Sequence, residues 1–114
     1  MNKQSKGKTM KKKSGIIGKP MIVRANVAGV HAGIVKEFDA ATQTVTLSKA
    51  YRLWRIYTRD KSGSTSDIAA NGLKPNGGHS IGAELASVTI VNPQGLELAE
   101  MTNEAYKSIQ EWKN

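Results

Sequence analysis

Over Thr44 to Ser48 and again over Ala50 to Tyr57 the chain alternates its positions with a period of two, the spacing of β-strands, and β-branched apolar runs precede them. Met21-Ile22-Val23-Arg24-Ala25-Asn26-Val27 is rich in β-branched residues and predicts a first strand. Ala28-Gly29 supplies a turn or bulge, and the run from Val30 to Phe38 predicts a second strand. Its Val30, Ala32, Ile34 and Phe38 fall on one face, and His31, Gly33 and Glu37 on the other, which also holds apolar Val35. A turn over Asp39 to Gln43 leads to Thr44-Val45-Thr46-Leu47-Ser48, with Val45 and Leu47 facing inward. The run from Ala50 to Tyr57 alternates again. Tyr51, Leu53, Arg55 and Tyr57 share one face, and Arg52, Trp54 and Ile56 the other.

Beyond Tyr57 the pattern changes. Thr58 to Gly63 is a polar loop. Ser64-Thr65-Ser66-Asp67 has the form of a capping box with Asp67 in place of Glu, so Ile68-Ala69-Ala70 predicts a short helix that Asn71-Gly72 ends. Lys74 to Gly82 is a Gly/Pro/Asn loop. Ser87 to Val91 predicts a strand closed by Asn92-Pro93-Gln94-Gly95, and Leu96 to Met101 a short edge strand. A final helix begins at Thr102, a good N-cap, with Met101 able to staple onto Tyr106. Glu104 and Lys113 suit its dipole, and Tyr106, Ile109 and Trp112 form its apolar stripe. No segment repeats. Strands, a short helix, a strand and a terminal helix predict an α+β fold: a small, mostly antiparallel β-sheet or open barrel with one short helix and a C-terminal helix.

Charge divides the chain. Its 17 Lys/Arg and nine Asp/Glu give a net charge of +8, but Lys3, Lys6, Lys8, Lys11, Lys12, Lys13 and Lys19 all lie in the first 19 residues, which contain no acid. The other ten bases are matched by the nine acids. Residues 1–19 therefore read as a disordered basic arm, and residues 20–114 as a single globular domain. A pI near 9.9 points to nucleic acid only through that arm, with Lys6, Lys8, Lys11, Lys12 and Lys13 as non-specific phosphate contacts. No apolar run approaches the ~20 residues of a membrane span. The basic N-terminus is not followed by a secretory h-region. The absence of cysteine excludes disulfides and thiolate metal sites and fits a reducing cytoplasm.

The body has one unusual cluster, Arg24, His31, Arg52, Trp54 and Arg55. In one reading these residues line a polar pocket. Arg24 and His31 face each other across the hairpin at Ala28-Gly29, and Arg52 and Trp54 share a strand face. The guanidinium forks suit phosphate or carboxylate, and the indole suits a base. In the other reading Arg24 and Arg52 pair with Glu37 or Asp39, His31 sits on a sheet surface and Trp54 is in the core. Catalysis finds no support. No serine sits in a Gly-x-Ser-x-Gly elbow, and Asn76-Gly77-Gly78-His79-Ser80 lacks the Lys-Ser/Thr of a P-loop, so His79 reads as part of a mobile surface loop. No enzyme, metal or cofactor is expected.

Ile22-Val23-Arg24, Ala28-Gly29-Val30-His31-Ala32-Gly33, Ala50-Tyr51-Arg52-Leu53-Trp54 and Ser64…Ile68-Ala69…Gly72 together resemble a family of small phage-encoded proteins of unknown function. Its members read Val-Arg-x-x-x-Ala-Gly-Val-His-x-Gly, then Arg-x-Trp, then Leu/Ile-Ala-x-x-Gly. The likeness spans about residues 21 to 92. It implies a phage origin and a place in the cytoplasm of an infected bacterial host, and it supplies no activity. The expected function is that of a non-catalytic phage accessory protein binding an anionic ligand (a nucleotide or similar) or a host protein, and inhibiting a bacterial defence system. The alternatives are a nucleic-acid-binding protein using its basic arm, and a virion structural or assembly protein. Small size and the apolar terminal helix favour a homo-oligomer.

Overall fold

The computed structural model describes residues 15–26, 28–57, 65–75 and 77–112. Its elements are β1 (Pro20–Ala25), β2 (Gly29–Asp39), β3 (Thr44–Arg55), α1 (Thr65–Asn71), β4 (Ser80–Ile81), β5 (Leu85–Val91), β6 (Glu97–Glu100) and α2 (Asn103–Gln110). The result is the expected α+β architecture, a six-stranded antiparallel sheet with two helices. β1, β2 and β3 form a meander. β4 and β5 follow one another along the outer edge of β3. β6 returns to the free edge of β1, pairing Met21 with Glu100 and Arg24 with Glu97.

This order puts β5 and β6 on opposite edges, although only residues 92–96 connect them. So short a link requires the sheet to curl. The Asn92 N–H donates to the Gln43 carbonyl at 3.0 Å, and the Leu96 N–H donates to Gln43 Oε1 at 2.8 Å, which fastens the link to the β2–β3 turn. Inside the curl lies one core, built from Met21, Val23, Val35, Val45, Leu47 and Ile90. A second core fills the outer side, where Ile22, Ala32, Tyr51 and Leu53 meet Ile68 of α1 and Ile109 of α2. Both faces of the central strands are therefore buried. The single inward face expected from alternation is corrected accordingly: Val30, Ala32 and Ile34 look toward the helices, and Gly33 and Val35 look into the curl.

Two irregularities in the β2–β3 ladder set these faces. Ala32 pairs with Tyr51 and Ile34 with Ser48, so β3 holds one residue more than β2 at that step. Lys49 takes it up with a left-handed φ of 47°. Leu47 and Ala50 can then both point inward. The strands run so close that a Cβ on Gly33 would sit 3.0 Å from Leu47 Cβ and 3.1 Å from the Ser48 carbonyl. A second shift, between Val35 and Glu37, turns Phe38 into the curl, away from the face shared by Val30, Ala32 and Ile34.

The packed body reaches further toward the N-terminus than the composition suggests. Ile16 and Ile17 rest on the inner core, and Gly18 N–H and Lys19 carbonyl bond to Val35 at 2.8 and 3.1 Å. Lys6, Lys8, Lys11, Lys12 and Lys13 lie outside the described residues, as do the loop 58–63, Ser64 and Lys113. At the other end, the Thr102 hydroxyl accepts the Ala105 N–H at 3.0 Å and caps α2 as expected. Thr102→Ala is expected to cost about 1 kcal/mol, read as a lower urea midpoint at unchanged m-value. No helix among the described residues is long and apolar enough to cross a membrane.

Candidate functional site

Strand register assembles one polar group inside the curl. His31 on β2 lies directly opposite Arg52 on β3, and Gly29 and Trp54 follow on the same face, one pleat further toward the open end. β5 stops pairing with β3 at Ala50, so Arg52 and Trp54 project where that neighbour has ended. The Arg52 guanidinium lies 4.0 Å from the centroid of the Trp54 ring, a cation–π contact. Its Nη2 also occupies the space beside Gly29, 3.0 Å from where a Cβ would be. Gly29 has φ 81°, so it serves both the turn and this close approach. Trp54 is 64% exposed, which removes it from the core. Among the described residues, the ion pairs join Lys19 to Glu100, Arg24 to Glu97 and Lys107 to Glu111, and none includes Arg52. Glu37 and Asp39, its expected alternative partners, pair with Thr46 and Thr44 at the far end of the ladder.

His31 forms the floor. It is 4% exposed, flanked by Val23 and Arg52, and its Nδ1 is buried without a hydrogen-bond partner among the described residues. An unmet buried group of this kind costs about 1–3 kcal/mol. Burial, and then the Arg52 charge, lower its pKa from the usual 6.5, so the ring is neutral at pH 7. A proton therefore binds the unfolded chain more readily. The stabilising effect is complete above 6.5 and is lost as pH falls below that value. The urea midpoint is expected to fall between pH 7 and pH 5, and His31→Gln is expected to flatten that fall.

Arg24 does not join the group. The hairpin sets Ala25 opposite Gly29, so Val23 faces His31, and Arg24 faces Val30 on the helix-covered side of the sheet. There its Nε reaches Glu97 at 3.8 Å. Arg55 is also separate, with its Nε donating to the Gly78 carbonyl at 3.4 Å. His79 corrects the mobile-loop reading. It is buried, its Nδ1 accepts the Tyr57 N–H at 2.9 Å, and its Nε2 donates to the Lys74 carbonyl at 2.8 Å. The Trp112 ring meets it edge-on at 4.6 Å. His79 thus clips the end of β3 to the loop after α1, with both nitrogens occupied. No group of three metal-ligating side chains occurs among the described residues.

One feature has no local signal in the sequence. A cleft of about 360 Å³ opens on the outer side between Tyr51, Glu84, Gln110 and Trp112. The Tyr51 hydroxyl donates to Glu84 Oε1, and burial followed by that carboxylate pushes its pKa up to about 12, so it remains a donor. Its walls come from β3, the link between β4 and β5, and α2, so only the tertiary fold brings them together.

A curled antiparallel sheet backed by two short helices, with a guanidinium, an indole and a buried imidazole at one end, defines a small α+β domain with a polar mouth. The chain belongs to the family described as "Domain of unknown function (DUF6948)", whose model matches residues 18–109. No curated protein and no solved structure matches it.

Proposed function

We propose that the chain is a non-catalytic phage accessory protein that holds an anionic, nucleotide-like ligand at the mouth of its curled sheet. The observation that carries this reading is the Arg52 guanidinium, laid on Trp54 and unpaired with any carboxylate among the described residues. In this reading Arg52 binds phosphate through its planar fork, Trp54 stacks on the base and His31 closes the floor. The phage origin and the bacterial cytoplasm rest on the resemblance carried by Ala28 to Gly33 and Arg52 to Trp54. Inhibition of a defence system, by sequestering a nucleotide signal, is the role that suits such a site. Isothermal titration of the full chain with nucleotides and the matching nucleosides tests the site. Nucleotides are expected to bind and nucleosides to fail; equal binding of both, or of neither, overturns it.

The lysine-rich arm supports a second reading, loose binding of nucleic acid. That binding is expected to weaken about tenfold to a thousandfold between roughly 50 and 200 mM salt, given a handful of phosphate contacts. Replacing Lys6, Lys8, Lys11, Lys12 and Lys13 with alanine should remove it while nucleotide binding at Arg52 persists. Salt-insensitive binding in a filter assay rules this reading out.

A further inference from the structure

We propose that β5 is a self-association surface, pairing antiparallel with β5 of a second copy about a two-fold axis at Val88. Its outer edge pairs with no strand among the described residues. Exposed strand edges are commonly blunted by lysines, proline, bulges or shortness. β6, the opposite edge, has four residues and carries Glu97 and Glu100. β5 has none of these protections. Leu85-Ala86-Ser87-Val88-Thr89-Ile90-Val91 contains no charge, proline or glycine, and its ladder to β3 runs from Val91 to Leu85 without a register shift.

The arrangement of its side chains identifies the occupant as another β5. Val88 and Ile90 turn into the curl. Ser87, Thr89 and Val91 have the opposite parity, and Thr89 bonds outward to Thr46 Oγ1 at 3.0 Å. Leu85 and Val91 are 41% and 58% exposed, two of the large apolar side chains left in water. They lie at the two ends of β5, equally far from Val88. An antiparallel pair centred on Val88 therefore sets each Leu85 opposite the other copy's Val91, and each Ser87 opposite the other copy's Thr89. Outward Ser87 meets outward Thr89 on one face of the joined sheet, and exposed Leu85 and Val91 lie at its two ends. A centre moved by one residue would leave an end residue unpaired. One strand pair buries less than the roughly 1,000 Å² of a tight interface, so the dimer is reversible.

Sedimentation velocity on the full chain tests this. The mass is expected to rise from one copy to two between micromolar and near-millimolar concentration; one copy throughout overturns the proposal. Ser87→Lys with Thr89→Lys sets like charges directly opposite each other twice, and should weaken the dimer about tenfold or more. Ser87→Glu with Thr89→Glu should act alike, and mixing the two variants should restore dimers. Undiminished dimers in either variant alone, or no dimers in the mixture, exclude this register. A further measurement does not depend on those variants folding. The chain has no cysteine, so Val88→Cys supplies the sole thiol, and mild oxidation should yield a covalent dimer. Failure to cross-link at a concentration where wild type is dimeric places the interface elsewhere.

Discussion

Replacing Arg52 with alanine is expected to abolish nucleotide binding and leave the melting temperature almost unchanged. A guanidinium gripping phosphate makes two charge-assisted hydrogen bonds, each contributing about 1.5–3 kcal/mol. Losing both weakens affinity on the order of a hundredfold or more, at 1.4 kcal/mol per factor of ten. The folded chain loses little. Arg52 leaves no carboxylate stranded among the described residues, and its contact with exposed Trp54 contributes about 0.5–1 kcal/mol. Arg52→Lys keeps the charge but not the fork, so its affinity should fall between wild type and alanine. Calorimetric titration and thermal melting of the same samples separate binding from stability. Wild-type affinity in Arg52→Ala, or a large drop in melting temperature, would return Arg52 to a structural role.

Leu47→Ala is expected to have the opposite profile, costing about 2–5 kcal/mol without touching the mouth. Leu47 is fully buried inside the curl. Its Cβ presses against the backbone of Gly33, and the bulge at Lys49 fixes its position. A strand held by paired neighbours on both sides cannot collapse onto the space left by three carbon atoms, so the upper part of the range applies. For a body of this size each kcal/mol shifts the melting temperature by about 4–8 °C. Differential scanning calorimetry is the measurement, and a loss under 1 kcal/mol would show that the inner core repacks freely.

β-branched content located β1, facing apolar positions and period-two alternation located β2 and β3, and the Thr102 cap located α2, because those signals lie within a few consecutive residues. Faces were harder to read. Alternation says which residues share a side, but it cannot show that both sides of a sheet are covered. The inner core needs Ile90, Val88 and Leu98 from strands more than forty residues beyond Val45. Nor does it reveal Lys49, an ordinary residue in a left-handed conformation that resets the register of every side chain after it. The site shows the same limit. Arg52 and Trp54 were legible as neighbours because they are two apart on one strand. His31 joined them because the ladder placed it opposite Arg52. Arg24 was lost to a hairpin register one residue from the one assumed, since a one-residue slip sends a side chain to the opposite face. His79, the centre of a hydrogen-bonded clip, lay in a glycine-rich stretch whose composition resembles that of a free loop.

The pairing of β1 with β6 sets a constraint on biosynthesis. Met21 to Arg24 emerge from the ribosome well before their partners, Glu97 to Glu100. Until then the β1–β2–β3 meander carries an open edge and a half-covered apolar interior, the kind of surface that invites aggregation. The link through Gln43 and the docking of α2 also wait for this later part of the chain. Closure of the longest loop therefore comes late, as expected for a topology rich in distant contacts. A nascent chain stalled before Glu97 would remain open to proteases and chaperones, whereas a chain that extends past α2 closes around its interior.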